Sequence, residues 1–389
     1  MSAREVMIIG GGIGGLVAAL ALHQRGIKVQ VHEQAPQLGE VGAGFTIARG
    51  SQRVFETLGL LDEVQRRSIV TTKMAFVHYR TAAMLSGQPD LGDGINRTSD
   101  MVGRHMHRAD LHDVLSSALM ARAPGALHLN HRLVGIDEHG ERVRATFANG
   151  DVAEADALVG ADGVRSQVRA LLWGASEPRF TGQIAYRCLL PYDVAQPFMS
   201  TGRATLFVGP GRVLSRYTVR QNQIVNCVGI TRSDDWLDEG WSTPATPEEM
   251  AALYQGWHPD VVNLVARAPR AGLIKWGLFD RPPLARWSQG RVTLLGDAAH
   301  PMLPFLGLGA AIAIEDGSVL GQAFDAESQI PAAFARYEAA RHGRVDQIAE
   351  LSRLQGEMTQ AQNPDQYQHA SAPAGNLSLY DFDPAAPLP

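Results

Sequence analysis

Asp297 and the two glycines that follow it have the residue types and spacing of a ligand site. Asp297 comes after Val292–Leu295, an apolar segment that predicts a buried strand. A carboxylate at the end of such a strand is costly unless it is hydrogen-bonded, and ligand hydroxyls can supply those bonds. Gly307 and Gly309 open the next helix, whose free N–H groups and positive dipole end suit an anion or an electron-rich ring. These residues predict a ligand site without identifying the ligand.

A run of glycines near the start of the chain has the spacing that binds a dinucleotide. Glu5–Ile9 is almost wholly apolar, as expected for a buried parallel strand, and GGGIGG follows it directly. In this pattern Gly10 makes the turn, Gly12 lets the backbone approach a pyrophosphate, and Gly15 allows close helix–strand packing. Glu33 ends the next strand, where an acid suits the ribose hydroxyls of FAD or NAD. A Gly-rich turn without a ligand is the alternative, and the order of strand, glycines, helix, strand and acid disfavours it.

A second Gly-Asp element, DALVGADGVRS, spans Asp156–Ser166. Its small residues would let the backbone pack against the first Rossmann unit near the pyrophosphate. Standing alone, the element would be interpreted as an ordinary Asp-Gly turn. Together with the other two motifs, it favours a nucleotide-binding role.

The segment His105–Leu119 has the apolar spacing of a helix, with a cation at its start. Arg108 gains nothing from the helix dipole at that position, so it serves either a ligand or an ion pair. His107 and His112 suggest a metal pair, but nothing completes a ligand set. We therefore expect them to be surface or core histidines.

From Gly182 to Thr231 the pattern changes to alternating strands with polar turns, which predicts an antiparallel sheet inserted into the nucleotide-binding domain. Aromatic and cationic side chains on one face of this sheet would suit a wall over a planar substrate. The alternative, that each packs or lies at the sheet surface, stays open for every one of them. The residues concerned are Tyr186, Arg187, Arg216 and Tyr217.

The remaining elements follow from periodicity. Polar turn residues at 149–151 predict a hairpin, and the segment after residue 360 is interpreted as an irregular tail. The long charged helix at 332–354 is expected to be solvated and rich in salt-bridge pairs. We predict strands at 72–79, 127–134, 143–147 and 275–280, and further helices at 51–59 and 247–257.

Composition limits the class of protein. The chain has 389 residues, 45% hydrophobic and 19% charged, with 40 glycines, which suggests a soluble α/β protein with two lobes. A net charge of −5 gives no basic field for nucleic acid or an anionic membrane. The 2 cysteines, Cys188 and Cys227, have no metal-ligand spacing. No signal peptide or membrane-spanning run is evident, so we expect a cytoplasmic protein that needs no metal.

GGGIGG with Glu33, DALVGADGVRS and LLGDAAHPM resemble, in order and spacing, the single-component FAD-dependent aromatic hydroxylases. This family includes salicylate-, hydroxybenzoate- and hydroxynicotinate-type monooxygenases. The resemblance covers almost the whole chain, including HRADLH, KWGLFD and RYEAAR. It implies hydroxylation of an aromatic or heteroaromatic small molecule by FAD, NADH or NADPH, and O2, through a flavin C4a-hydroperoxide. A transient surface groove for the nicotinamide cofactor and a homodimer are also implied.

The resemblance assigns roles to individual residues. Asp297 is expected at the ribitol, Arg108 at the ribitol or pyrophosphate, and Asp162 where flavin and nicotinamide meet. The loop 304–310 is expected beside the isoalloxazine ring. Tyr217 and Pro304 are the expected catalytic residues, and Tyr186, Arg216, Tyr217 and Leu308 are the expected substrate contacts. The expected cofactor residues are Gly10, Gly12, Gly14, Gly15, Glu33, Gln34, Arg108, Leu133, Asp162, Asp297, Gly307, Gly309 and Ala310.

The implied architecture is α/β, with a Rossmann-like FAD-binding domain, an inserted antiparallel β-sheet substrate domain and a C-terminal helical region. We assign three segments to FAD binding (1–75, 101–180 and 286–360, the last with the C-terminal helices), two to the substrate domain (76–100 and 181–285), and the tail to 361–389.

The substrate face departs from the family pattern. Val213 stands where many relatives have a His, Thr218 replaces the usual Pro after Tyr217, and Leu308 stands where a Gln is common. We therefore predict a more apolar pocket, in which Leu308→Gln would weaken substrate binding. Two other functions remain open: an FAD-dependent dehydrogenase or reductase without oxygen insertion, and a non-enzymatic FAD-binding protein.

Overall fold

The computed structural model describes residues 4–39, 44–71, 74–85, 103–174, 177–233, 243–369 and 382–388. The fold is mixed α/β, as the sequence predicted. The helices are α1 (Ile13–His23), α2 (Arg49–Thr57), α3 (Leu61–Arg67), α4 (Arg108–Arg122), α5 (Gln167–Trp173), α6 (Tyr192–Ala195), α7 (Pro247–Leu253), α8 (Pro259–Ala266), α9 (Gly309–Ala326) and α10 (Ile330–Thr359). Short 3-10 turns occur at Gln196–Phe198, Gly296–Ala298, Pro304–Leu306 and Pro364–His369.

The strands form four sheets. In chain order they are β1 (Glu5–Ile9), β2 (Lys28–His32), β3 (Gly44–Ile47), β4 (Ile69–Val70), β5 (Ala75–His78), β6 (Arg104–His107), β7 (Leu127–His128), β8 (Leu133–His139), β9 (Arg142–Phe147), β10 (Val152–Ala155), β11 (Ala157–Gly160), β12 (Arg179–Pro191), β13 (Ala204–Gly209), β14 (Arg212–Val219), β15 (Ile224–Arg232), β16 (Thr243–Pro244), β17 (Ile274–Asp280), β18 (Ser288–Gln289) and β19 (Val292–Leu294).

A six-stranded sheet in the order β18-β19-β11-β1-β2-β7 forms the nucleotide-binding core. All its pairs are parallel except β18–β19. The strands are apolar because the sheet is buried: Met7 and Ile8 of β1 are fully buried, α1 packs along β1 and β2, and Phe147 of β9 stacks on His32 of β2. The two Gly-Asp elements follow β11 and β19, so the carboxyl ends of three neighbouring strands meet at one edge, where ligands of open parallel sheets bind.

Two small sheets accompany this core, β10-β9-β8 and β3-β6-β4. The predicted hairpin between β9 and β10 is confirmed: Gly150 has φ +92°, and the Asn149 side chain accepts a hydrogen bond from the Asp151 amide (3.0 Å). The prediction of a helix from residue 105 is wrong at its start, because His105 and His107 belong to β6 and pair with β3. The helix begins at Arg108.

The inserted domain is a seven-stranded sheet in the order β16-β17-β12-β15-β14-β13-β5. Its pairs are antiparallel except β13–β5. Helices α7 and α8 pack on one face and bury a cluster that includes Tyr254 and Leu264. No helix was predicted where α8 lies; Pro259 stands in its first turn, where proline is well tolerated. Most of the predicted segment 76–100 lies outside the described residues, and the domain boundaries stay predictions.

Helix α10 is less solvated than predicted. Arg341 in its middle is fully buried, although surface pairs such as Arg353–Glu350 (2.6 Å) also occur on the same helix. The tail also packs against the inserted domain. Tyr367 is 1% exposed and stacks on Phe76 of the large sheet at 5.6 Å. Among the described helices, none is long and apolar enough to span a membrane.

Candidate active site

The glycine turn after β1 is shaped by close packing on one side and open space on the other. Gly10 has φ +108°, and a Cβ added there would collide with the Ala161 carbonyl of the second Gly-Asp element. A Cβ on Gly15 would collide with the Gly10 carbonyl. At Gly12, by contrast, no atom of the described residues lies within 4 Å of an added Cβ. The turn therefore leaves room for a ligand at Gly12.

Gly14 has a packing role. A Cβ added there would lie 2.8 Å from Leu295 and 3.2 Å from Ala313, so this glycine lets α1 approach α9 and the strand before the Gly-Asp turn. This packing role argues against a direct contact of Gly14 with a cofactor.

Glu33 is positioned by backbone donors at the end of β2. Its carboxylate accepts hydrogen bonds from the amides of Gly11 and Ala35, both at 2.8 Å. His112 of α4 is buried and its Nε2 donates to the Gly11 carbonyl (2.7 Å), which makes it the core histidine that was expected. Glu33 is thus held where ribose hydroxyls can donate to it, while the side chain of Gln34 is exposed.

A histidine stack lies directly before Glu33. The ring of His32 is parallel to His128 at 4.8 Å and to Phe147 at 4.6 Å, and His131 meets it edge-on at 5.0 Å. Burial and the neighbouring His128 and His131 lower the pKa of His32 to about 3, so this ring is neutral at physiological pH. On the far side, His131 faces the carboxylate of Asp151 at 3.0 Å.

The stack predicts acid sensitivity of the folded protein. In the unfolded chain His32 titrates near its ordinary pKa of about 6.5, while in the folded chain its pKa is about 3. Between these two pH values the unfolded chain therefore binds a proton at His32 that the folded chain does not. The contribution of neutral His32 to the free energy of unfolding is fully present above pH ~6.5 and is lost as the pH falls, by about 1.4 kcal/mol per pH unit. We expect His32→Phe to flatten the decline in urea-unfolding free energy between pH 7 and 5. The exposed-site control His139→Gln should keep the original slope; an unchanged slope in His32→Phe would contradict the assignment.

The carboxylate of Asp162, in the second Gly-Asp element, is hydrogen-bonded to the start of helix α5. Its carboxylate accepts from the Ser166 hydroxyl (2.5 Å) and from the amides of Gln167 (2.7 Å) and Val168 (3.1 Å) at the start of α5. Burial raises the pKa of Asp162, while these hydrogen bonds act in the opposite direction. This placement argues against a direct contact of the Asp162 carboxylate with a cofactor.

Asp297 projects from an otherwise buried turn. It is exposed, whereas Ala298 and Leu295 on either side are buried. Arg169 of α5 supports the turn by donating to the carbonyls of Ala299 (3.2 Å) and Pro282 (3.1 Å). An exposed carboxylate on a turn held this firmly is suited to accept hydrogen bonds from a ligand.

A buried charge network lies behind the same turn. Asp316 of α9 accepts from the Gly296 amide (3.1 Å), from Nε2 of His300 (2.7 Å) and from Nε of Arg341 (2.7 Å). Arg341 also pairs with Glu315 at 2.8 Å. This network was missed by the sequence analysis, since it joins residues from three separate elements.

The loop before α9 is supported from below by α10. Phe305 packs against Gly356, where an added Cβ would lie 2.5 Å from its ring, and the Ser352 hydroxyl donates to the Leu303 carbonyl (2.6 Å). Pro304 and Gly307 are exposed, and Gly307 has φ +65°. Helix α9 starts at Gly309, with Ala310 partly buried in its first turn; the prediction that Gly307 also opens this helix is wrong, because Gly307 ends the 3-10 turn Pro304–Leu306.

Leu308 does not face this open side. It is 4% exposed and belongs to the hydrophobic core of the nucleotide-binding domain. The predicted effect of Leu308→Gln on substrate affinity therefore loses its basis, because the change would place an amide in that core. Leu133 is buried in the same core, so only its backbone remains available for a cofactor.

The predicted wall of four side chains is wrong, because neighbouring residues of a strand point to opposite faces. Tyr186 and Arg216 lie on the face covered by α7 and α8. There Tyr186 donates to Glu249 (2.8 Å), and Arg216, fully buried, donates to the Gly202 carbonyl (2.7 Å). This placement argues against a substrate contact for either residue.

Arg187 and Tyr217 lie on the opposite face, where Leu303 and Phe305 of the loop before α9 pack. The Tyr217 ring contacts His105 at 4.4 Å between ring centroids, and the Arg187 guanidinium lies over Trp276 at 5.3 Å. Along this face Arg187 is in register with Val228, which is in register with Ser215. The structure thus brings Tyr217 and the supported loop to one face, together with Arg187.

Arg108 stands exposed at the first position of α4. The adjacent acid, Asp110, is paired with Arg220 of the β14–β15 turn at 2.6 Å. Arg108 therefore stays a proposed cofactor residue on the strength of its position alone.

Comparison with known proteins identifies the class to which this architecture belongs. A family model described as FAD binding domain matches residues 3–352. The 3-amino-4-hydroxybenzoate 2-monooxygenase PtnB3 of Streptomyces platensis is 36% identical over 353 residues, 90% of this chain and 87% of that protein. The 6-hydroxynicotinate 3-monooxygenase of Bordetella bronchiseptica is 33% identical over 365 residues, 93% of this chain and 94% of that protein.

Solved structures agree with this result. Klebsiella pneumoniae HpxO complexed with FAD and uric acid has a TM-score of 0.86 at 26% identity, covering 99% of this chain and 98% of that chain. A salicylate hydroxylase substrate complex has a TM-score of 0.80 at 25% identity, covering 97% and 93%. The chain belongs to the family of FAD-dependent aromatic monooxygenases. FAD is its cofactor, and the predictions of family, fold class and cofactor are confirmed.

The residues present fit this cofactor. The open space over Gly12 suits a pyrophosphate, Glu33 is oriented for a ribose, and the exposed Asp297 follows Gly296, whose amide donates to Asp316 of α9. The carboxylates of Glu33 and Asp297 provide two positions for ligand hydroxyls at the carboxyl edge of the parallel sheet.

Proposed function

We propose that the protein hydroxylates an aromatic or heteroaromatic ring that carries a carboxylate, using O2 and NADH or NADPH. The observation that carries this proposal is the position of Arg187 on the sheet face that receives Leu303 and Phe305. Relatives named as hydroxybenzoate and hydroxynicotinate monooxygenases support a ring carboxylate as substrate.

FAD would be held by residues of the carboxyl edge of the parallel sheet and by the start of α9, namely Gly10, Gly12, Gly15, Glu33, Arg108, Asp297, Gly307, Gly309 and Ala310. When bound, FAD supplies the electron-transfer and oxygen-transfer chemistry. The helix start stabilises negative charge there through its oriented N–H groups and dipole.

Arg187 would anchor the substrate. A guanidinium binds a carboxylate through parallel N–H donors, which fixes the plane of the carboxylate as well as its position. Trp276, on which the Arg187 guanidinium stacks, restricts the orientation of that guanidinium. Val228 and Ser215, which continue the row, are small enough to let a ring lie against the sheet.

Tyr217 would orient a ring substituent as a neutral donor. Burial raises the pKa of Tyr217, and Arg187 opposes this only in part. The neighbouring His105 is neutral as well, because burial lowers its pKa to about 4. These groups position and shield the ring rather than act as strong bases, so a substrate already activated by a hydroxyl or amino group is favoured.

The proposal is tested with FAD-loaded protein and 18O2. Hydroxylated or aminated ring carboxylates are supplied with NADH or NADPH, and products are analysed for isotope. Incorporation of one labelled oxygen is the expected result. Nicotinamide oxidation that is accelerated by substrate without label in any product would overturn hydroxylation and favour a reductase.

Arg187→Gln is expected to weaken binding of the best carboxylate substrate by about 10- to 100-fold, as loss of a charged hydrogen bond worth ~1.5–3 kcal/mol implies. The measurement is the substrate concentration that gives half-maximal acceleration of flavin reduction. Arg187→Lys should retain part of the affinity, and the matched ring amide should bind both wild type and variant equally weakly. Equal losses for carboxylate and amide would show that Arg187 shapes the sheet instead.

A further inference from the structure

A basic cleft lies beside strands β4 and β6. It has a volume of about 500 Å³ and is formed where α3, β4 and β6 of the FAD domain meet the β14–β15 turn. Its lining includes Arg66, Arg104, His105, Arg203 and Gln221. It lies apart from the glycine turn that serves FAD.

The charge of this cleft is of one sign. None of the described residues that line it is an Asp or a Glu. Arg104 donates to the Ser68 hydroxyl (2.6 Å) and to the Gln65 carbonyl (3.0 Å), which are neutral acceptors. Arg203 is exposed at the cleft, whereas the charge of Arg66 is shared with Glu63, its ion-pair partner outside the cleft. Arg104 and Arg203 therefore give the cleft a field that attracts anions.

The wall of the cleft is built and anchored. The turn residues Arg220, Gln221 and Asn222 have φ values of +49°, +56° and +61°. Arg220 fixes the turn to α4 through Asp110 (2.6 Å), and the Gln221 side chain donates to the Arg66 carbonyl of α3 (2.7 Å). Both domains thus hold the cleft in one shape, which lowers the ordering cost of binding.

We propose that this cleft binds the phosphate groups of a nucleotide, with the pyrophosphate of NADH or NADPH as its source. The source assignment rests on the proposed function, which requires a second dinucleotide while the glycine fingerprint of the described sheet serves FAD. The cleft also reaches the substrate face: His105 lines it, and the ring of His105 packs on Tyr217. Arginine guanidinium groups are the donors that match phosphate oxygens.

Calorimetric titration of FAD-loaded protein with ADP and with inorganic pyrophosphate tests the proposal without turnover. Both probes are expected to bind, and Arg203→Gln should raise their dissociation constants about tenfold, as loss of one charged contact implies. Arg232→Gln removes an exposed arginine at the end of β15, outside the cleft lining, and should leave both constants unchanged. Absence of binding to wild type, or an equal loss in Arg232→Gln, would overturn the phosphate site.

Steady-state kinetics then distinguish the two sources of phosphate. If NADH or NADPH occupies the cleft, ADP competes with this co-substrate. The KM for NADH or NADPH then rises in Arg203→Gln by the same factor as the ADP dissociation constant. If Arg203→Gln weakened ADP binding but kept the KM for NADH or NADPH, and if ADP did not compete with that co-substrate, the co-substrate assignment would be overturned. A separate phosphorylated ligand would then be supported. Since ADP binding needs no substrate, a failed hydroxylation assay leaves this test intact.

Discussion

Arg341→Met is expected to lower the free energy of unfolding by about 3–5 kcal/mol, the range found when one partner of a buried ion pair is removed. Arg341 is fully buried between Glu315 (2.8 Å) and Asp316 (2.7 Å). Burial acts to raise the pKa of Asp316, but His300 and Arg341 hold it below its ordinary value. Without Arg341, a buried carboxylate must either stay charged without its main partner or take up a proton.

Urea unfolding of the FAD-free protein measures this change. Arg353→Met is the control, since Arg353 belongs to the same helix and pairs with Glu350 and Glu357 at the surface; it should leave the unfolding midpoint unchanged. The loss in Arg341→Met should shrink at low pH, where the carboxylates are protonated. A destabilisation similar to that of the control would mean that the network contributes little to stability.

Gly12→Ala and Gly15→Ala are expected to damage the protein in different ways. At Gly15 the new methyl group collides with the Gly10 carbonyl, so Gly15→Ala should lower the stability of the FAD-free protein and its affinity for FAD together. At Gly12 no atom of the described residues lies within 4 Å of the added Cβ. Gly12→Ala should therefore leave the FAD-free protein as stable as wild type while weakening FAD binding about 100-fold, because the methyl group takes the space of the pyrophosphate.

Thermal unfolding of FAD-free protein and fluorescence titration with FAD separate the two effects. Gly26→Ala is a third variant, in which damage would come from backbone strain. Its added Cβ also meets open space, but alanine is strained at the φ of +74° found at this position. It should lower stability without a specific effect on FAD. If Gly12→Ala bound FAD as tightly as wild type, the pyrophosphate would have to lie elsewhere.

The strand-end positions of the candidate cofactor residues could be predicted from sequence, and the faces of the substrate sheet could be predicted only in part. Gly10, Glu33 and Asp297 follow short apolar segments, so their places at strand ends are local consequences of the sequence. The prediction that Tyr186 and Arg216 share a face with Arg187 and Tyr217 was wrong, because neighbouring residues of one strand point to opposite faces. The period of two separates Tyr186 from Arg187 and Arg216 from Tyr217, and the register of β12, β15 and β14 then places Arg187 and Tyr217 on one face.

Other features depend on contacts between distant segments. The sequence predicts that Leu308 is a loop residue beside the isoalloxazine ring, and only the packing of α9 shows that it is buried. Asp162 has the sequence context of a ligand residue, but it accepts hydrogen bonds from Ser166 and Gln167 at the start of α5. The burial of Arg341 depends on α10 crossing α9, which helical periodicity alone does not reveal.

The strand order of the parallel sheet has a consequence for biosynthesis. Strand β1 lies between β2 and β11, and β11 pairs with β19, so strands that are far apart in the sequence lie side by side. During translation β1 and the glycine turn emerge early, but the Asp297 turn emerges only after the whole substrate domain. The nascent chain therefore cannot complete its FAD site until late, and the early strands stay incompletely paired meanwhile. Supply of FAD during synthesis should thus raise the yield of folded protein only after residues 292–316 have left the ribosome.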